Sequence, residues 1–184
     1  MTQTTTSPAT TTWKIDPAHS AAEFKVKHMM ISNVKGKFGN ISGLLTLDGG
    51  DPAQSSVEAT IPIATVNTGD DQRDGHLKSG DFFDAEKFPE MSFKSTQVKS
   101  TAPGELAVTG DLTLHGVTKS VTFAVEGPSE PAKDPWGNMR VGLSATAKIS
   151  RKDFGLTWNA ALETGGVLVG DDVAITLDVQ FIKA

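Results

Sequence analysis

The sequence predicts an all-β chain: an extended, closed antiparallel barrel of eight strands with a short helix after the third strand. Three observations carry this expectation. From Trp13 onward, apolar and polar residues alternate with period 2 over most of the chain, the mark of strands with one buried face. Several joins between these runs are short and turn-like, which suggests an up-and-down order. Long alternating strands also leave unpaired edges, and closure into a barrel removes them.

Each element follows in order. Met1–Thr12 (MTQTTTSPATTT) has no charged side chain and no aromatic residue, so it reads as a disordered, dispensable Thr-rich tail. It is not a secretory signal, because the first basic residue is Lys14 and no apolar run follows. The rest, 13–184, forms one domain. In the first strand Ala22, Phe24, Val26 and His28 share one face, and Glu23, Lys25 and Lys27 the other. The second, Lys37–Leu47, alternates imperfectly, with Gly39 or Gly43 marking a bulge. The third carries Val57, Ala59, Ile61 and Ile63. Asp70–Gly80 (DDQRDGHLKSG) has no period-2 pattern and opens with helix-favouring acids, which predicts the short helix. Met91–Val98 is the fourth strand. Leu106, Val108, Leu112 and Leu114 mark the fifth, and His115-Gly116 turns it tightly into the sixth, with Val121, Phe123 and Val125. Glu126–Trp136, with three prolines, is a loop. Val141, Leu143, Ala145, Ala147 and Ile149 form the seventh strand; Val173, Ile175, Leu177, Val179 and Phe181 form the eighth. Arg151–Asp171, between them, has little strand pattern, and a stretch that long tends to be functional or to cap something.

Composition narrows the function. Hydrophobic residues make up 38% and charged residues 21% of the 184, as in soluble globular proteins. A net charge of −5 argues against a nucleic-acid partner. No run approaches the ~18 apolar residues of a membrane helix. With no cysteine, disulfides, thiolate nucleophiles and zinc–thiolate sites are excluded, and with no tyrosine, so is phenol chemistry. The missing export signal suggests a cytoplasmic protein.

An eight-stranded barrel is just wide enough to be filled by its side chains or to hold one slim ligand. Ala22, Ala59, Ala145 and Ala147 on the inward faces, with only three Trp and nine Phe in the chain, favour a hollow interior. Such a cavity is mainly apolar, and so is its ligand. Asp70, Asp71, Asp74 and His76 are the densest set of possible metal ligands, but their spacing fits no metal loop and helix capping accounts for them. No metal and no cofactor are expected. His28 on an apolar face, His115 before a glycine and His19 after Asp16-Pro17 read as structural. No nucleophile elbow, P-loop or dinucleotide motif occurs, so no catalytic residue is assigned and no enzyme is expected. Phe82, Phe83 and Phe88, and likewise Phe154, Leu156 and Trp158, either plug one end of the barrel or line a pocket mouth.

The words of the sequence also carry a likeness. WKIDPAHSAAEFKVKH (Trp13–His28) precedes VKGKF (Val34–Phe38); DQRDGHLKSGDFFD (Asp71–Asp84) precedes Phe88-Pro89 and Met91-Ser92-Phe93. GDLTLHGV (Gly110–Val117), Val121-Thr122-Phe123, SRKDFGLTW (Ser150–Trp158) and Val169-Gly170-Asp171 follow. In combination and order these resemble the YceI-like family, from Trp13 to Phe181. The resemblance implies a lipocalin-like barrel, similar to polyisoprenoid-binding proteins that hold a polyprenyl phosphate or a quinone tail. It implies a transport or carrier protein that sequesters a long-chain isoprenoid or similar hydrophobic small molecule, with a homodimer compatible. The expected pocket lining is Phe24, Val26, His28, Phe82, Phe83, Phe93, Phe123, Leu143, Ala145, Leu156, Trp158 and Ile175. Arg73, His76 and Lys78, then Arg151, are the candidates for a headgroup. The alternative is an enzyme, with His28 or His76 as acid–base group, or a stress-related sequestering protein, acting on another small hydrophobic molecule in the same pocket.

Overall fold

The computed structural model describes residues 9–184. Among these, eleven strands form one sheet that closes on itself. β1 (Thr10–Ile15) and β2 (Ala21–His28) run the same way along β11 (Val169–Lys183): Ile15 pairs with Phe181, Ala21 with Asp178 and His28 with Val169. They are two halves of one long strand. The turn Pro17–His19 interrupts it, and the Asp16 carboxylate caps that turn by accepting from the Ala18 N–H at 3.0 Å. β3 (Ser32–Phe38) pairs with β2 and β4 (Ser42–Asp48) with β1, so these are also one strand, broken at 39–41 where Asn40 has φ 52°.

β5 (Ser56–Pro62), β6 (Glu90–Ala102), β7 (Glu105–Leu114) and β8 (Val117–Glu126) follow as antiparallel neighbours. β9 (Ala132–Lys133) is a short ribbon on β10 (Met139–Ser150). β10 pairs with β8 on one side and with β11 from Arg140↔Ile182 to Ser150↔Asp172 on the other, which closes the ring. With the broken strands counted once each, the wall has eight strands, as expected.

The connections alternate between the two ends. One end carries the β2–β3 tip, the β5–β6 crossover, the β7–β8 turn and the β10–β11 loop; the other carries 49–55, 103–104 and 127–138. α1 (Asp71–Lys78) lies in the crossover, after the third wall strand. Asp70 caps it, its carboxylate accepting from the Arg73 N–H at 2.9 Å, and the buried Asp74 carboxylate ties it down by accepting from Thr68 N (2.8 Å) and Oγ1 (2.6 Å). The acids thus serve capping and anchoring. His115 (φ 54°) and Gly116 (φ 71°) both adopt the left-handed conformation that a two-residue hairpin turn requires.

Several boundaries differ from expectation. Thr10–Thr12, assigned to the tail from composition, are strand: they pair with Asp48, Leu47 and Thr46, and the Thr12 carbonyl accepts from the Ala184 N–H at 2.9 Å. Residues 1–8 of the expected tail lie outside the described residues. The second strand starts earlier than Lys37, at Ser32, and the last at Val169 rather than Val173. β9 falls inside the Pro-rich segment read as loop.

Candidate functional site

The inward faces do not meet. A cavity of about 880 Å³ occupies the barrel, and its surface is mainly apolar. The small residues Ala59 and Ala145 stand where larger ones would fill it. Two glycines that sequence reasoning missed shape the wall. A Cβ at Gly36 on β3 would collide with the Phe24 ring, and one at Gly110 on β7 would come within 2.5 Å of the Phe93 ring. Bare backbone therefore lets both rings lie across a neighbouring strand. Phe93 then meets Phe123 edge-on at 5.2 Å, and Phe24 meets Phe38 at 5.6 Å. A glycine inside a strand is the signal that would have pointed there.

All twelve residues expected to line a pocket border this cavity. Phe24, Val26 and His28 do so from β2, Phe93 and Phe123 from β6 and β8, Leu143 and Ala145 from β10, and Ile175 from β11. Phe82, Phe83, Leu156 and Trp158 border it from the connections at the α1 end. The aromatic clusters divide: Phe154 is buried core, and Phe88 packs at 5.0 Å on His115 against the β7–β8 turn. His115 is structural, its Nδ1 3.0 Å from the Phe154 carbonyl, and His19 Nδ1 lies 2.8 Å from the Asp16 carboxylate.

Two of the headgroup candidates at the α1 end, Arg73 and His76, border the cavity. His76 Nε2 lies 2.8 Å from the Asp81 carboxylate, and its ring packs edge-on against Phe82 (5.0 Å) and Trp158 (4.8 Å). Arg73 borders the cavity and donates from Nε to Thr68 Oγ1 (2.7 Å) and from Nη2 to the Thr68 carbonyl (2.9 Å). Its Nη1 makes no hydrogen bond among the described residues. The other two headgroup candidates sit differently. Lys78 does not border the cavity, because two residues past His76 the helix has turned to its opposite face. Arg151 borders it, but is only 4% exposed and fully engaged. It donates to the carbonyls of Gly170 (2.8 Å), Leu156 (2.6 Å), Trp158 (2.9 Å) and Val169 (3.3 Å). Burial pushes its pKa below the usual guanidinium value, opposed by Asp171 at 3.9 Å. It pins the β10–β11 loop over the barrel end.

The strongest charge cluster is not at the cavity. Arg140 donates from Nη1 to Asp16 (2.6 Å) and from Nε to Asp134 (2.7 Å). Its guanidinium holds the Asp134 carboxyl down at about 2 and lowers that of Asp16. Among the described residues no group of three or more His, Asp or Glu is placed to hold a metal ion, and no helix is long and apolar enough to cross a membrane.

Comparison with known proteins agrees with this architecture. A family model described as the YceI-like domain matches residues 13–181. A UPF0312 protein of Staphylococcus aureus (strain bovine RF122 / ET3-1) is 40% identical over 173 residues, 93% of this chain and 97% of its own. The YceI protein of Campylobacter jejuni has a solved structure with 34% identity and a TM-score of 0.70, covering 87% of this chain and 91% of its own. BcnA of Burkholderia cenocepacia is 25% identical with a TM-score of 0.77, over 90% and 98% of the two chains. A polyisoprenoid binding domain from Saccharophagus degradans shares the fold, with a TM-score of 0.67 at 16% identity over 94% and 98%.

Proposed function

The chain belongs to the YceI-like domain family, and from that premise we propose that it is a binding and carrier protein that encloses a long apolar chain, a polyisoprenoid, inside its barrel. The cavity supports this reading more than any other observation. At the ~30 Å³ share that a water molecule takes in the liquid, 880 Å³ accommodates about thirty non-hydrogen atoms, or about six five-carbon units. A slim branched hydrocarbon matches a long apolar tube between strands, and each buried CH₂ contributes about 0.8 kcal/mol before association costs. A phosphorylated headgroup then meets the free Nη1 of Arg73 and the His76 ring at the α1 end. The Saccharophagus degradans domain, described as polyisoprenoid binding, shares this fold and lends the ligand class support.

Binding rather than catalysis is the reading because the wall is mainly apolar. Titration with polyprenyl phosphates of stepped length tests it. Affinity rises with each unit up to about six and then levels off. Binding that ignores chain length, or no binding at all, refutes the reading.

A further inference from the structure

The β2–β3 hairpin carries two features that closing the barrel does not need. Its outer face is basic: Lys25, Lys27, Lys35 and Lys37 are all exposed, and Lys25 stands directly opposite Lys35. Like charges in that position repel, and among the described residues none of the four is in an ion pair. Of the nearby acids, Glu23 stands opposite Lys37, and Asp171 and Asp172 are taken up by Lys152 and Lys148, each at 3.3 Å. Glu163 is exposed on the adjoining loop. In a chain of net charge −5, this hairpin is a local excess of positive charge.

The tip of the same hairpin is apolar. Met29, Met30 and Ile31 are 42, 62 and 80% exposed, and Val167 of the adjoining loop is exposed beside them. Met29 (φ 51°) and Met30 (φ 61°) hold left-handed conformations where Asn or Gly is the ordinary choice. The tip is nonetheless fastened, the Met29 N–H donating to the Leu168 carbonyl at 2.7 Å. Directly below it Val26, His28, Val34, Leu168 and Val169 border the cavity.

We propose that this hairpin docks the protein on an anionic phospholipid bilayer. Met30 and Ile31 enter the boundary between headgroups and acyl chains, and the lysines rest on the phosphates, so that the α1 end of the cavity faces the lipid. Charge selects this occupant over a second copy of the chain, since two hairpins set face to face oppose lysines with lysines. The purpose of docking rests on the apolar-chain reading above, but docking itself is a property of the empty protein.

Flotation with vesicles tests it, using phosphatidylcholine alone or with about 30% phosphatidylglycerol, at about 0.05 M and about 0.5 M salt. The protein floats with the phosphatidylglycerol vesicles at low salt and not with phosphatidylcholine alone, and the higher salt weakens binding at least about tenfold. Met30→Ser with Ile31→Ser, and separately Lys25→Glu with Lys35→Glu, each lower partitioning at least about tenfold. Both variants keep the parent's melting temperature and polyprenyl phosphate loading, since none of the four residues borders the cavity. No preference for phosphatidylglycerol, or variants that partition like the parent, overturns the proposal. So does a vesicle-free dimer that Ile31→Ser dissolves, which assigns the tip to a second copy. Failed flotation with intact loading refutes docking alone; flotation without loading supports docking and refutes the cavity reading.

Discussion

Ala145→Trp places a large side chain in the cavity wall and separates a ligand chamber from a filled core. Ala145 is 3% exposed, lies between Leu143 and Ala147 on β10, pairs with Leu177 and Val125, and borders the cavity. The substitution adds about nine non-hydrogen atoms, which at ~30 Å³ each take about 270 Å³, about a third of the chamber. A bound chain then loses up to about nine buried carbons, a ceiling of about 7 kcal/mol at about 0.8 kcal/mol each. A flexible chain gives way by sliding outward, so about a third of that ceiling is expected, roughly 50-fold in affinity. The empty protein stays folded, with a melting temperature equal to the parent's or higher. Thermal melts, and titration with a long-chain isoprenoid or an apolar fluorescent probe, read both effects. Were the interior close-packed, the same change would cost about 1–3 kcal/mol or more of stability. A stable variant that binds like the parent refutes the placement of the chamber, and a badly destabilised one shows a filled barrel.

Three further outcomes follow from the contacts. A chain beginning at Trp13 loses the pairing of Thr10–Thr12 with β4 and the Thr12–Ala184 bond, at about 1–3 kcal/mol, so its melting temperature falls by several degrees; an unchanged melt contradicts the strand assignment. Arg151→Met strips the donors from four main-chain carbonyls, two in the loop (Leu156, Trp158) and two at the start of β11 (Val169, Gly170), costs about 3 kcal/mol and opens 155–168 to limited proteolysis; a variant as resistant as the parent denies the pinning role. Asp16 and Asp134 have folded pKa values below the ordinary 3.8, so their contribution is present above that value and fades as pH falls through their lowered values, about 2 for Asp134. Arg140→Gln flattens this acid limb in urea midpoints measured against pH, and an identical slope in both proteins contradicts the account.

The wall was readable because a period of two fixes which face each residue presents, so Phe24, Phe123, Ala145 and Ile175 could be placed at the interior without knowing the pairing. The helix was readable from Asp70 and the acids after it. Thr10–Thr12 hid because threonine suits either face of a strand, and partners come from β4, more than thirty residues away. The first five residues of β3, SNVKG, offer only Val34 as an apolar mark. Lys78 was grouped with Arg73 and His76 by nearness along the chain, but rotation along a helix decides which of them reaches the cavity. Arg151 looked like a free cation because its partners are main-chain carbonyls, which every residue carries and no pattern reveals.

Whether the chamber holds a long apolar chain is decided by native mass spectrometry of the protein purified from its own host. The expected result is a bound species of about 1:1 stoichiometry that organic extraction releases and fragmentation identifies as a polyisoprenoid, absent or shortened in Ala145→Trp. Only the mass of the empty chain, both as purified and after incubation with polyprenyl phosphate, would contradict it.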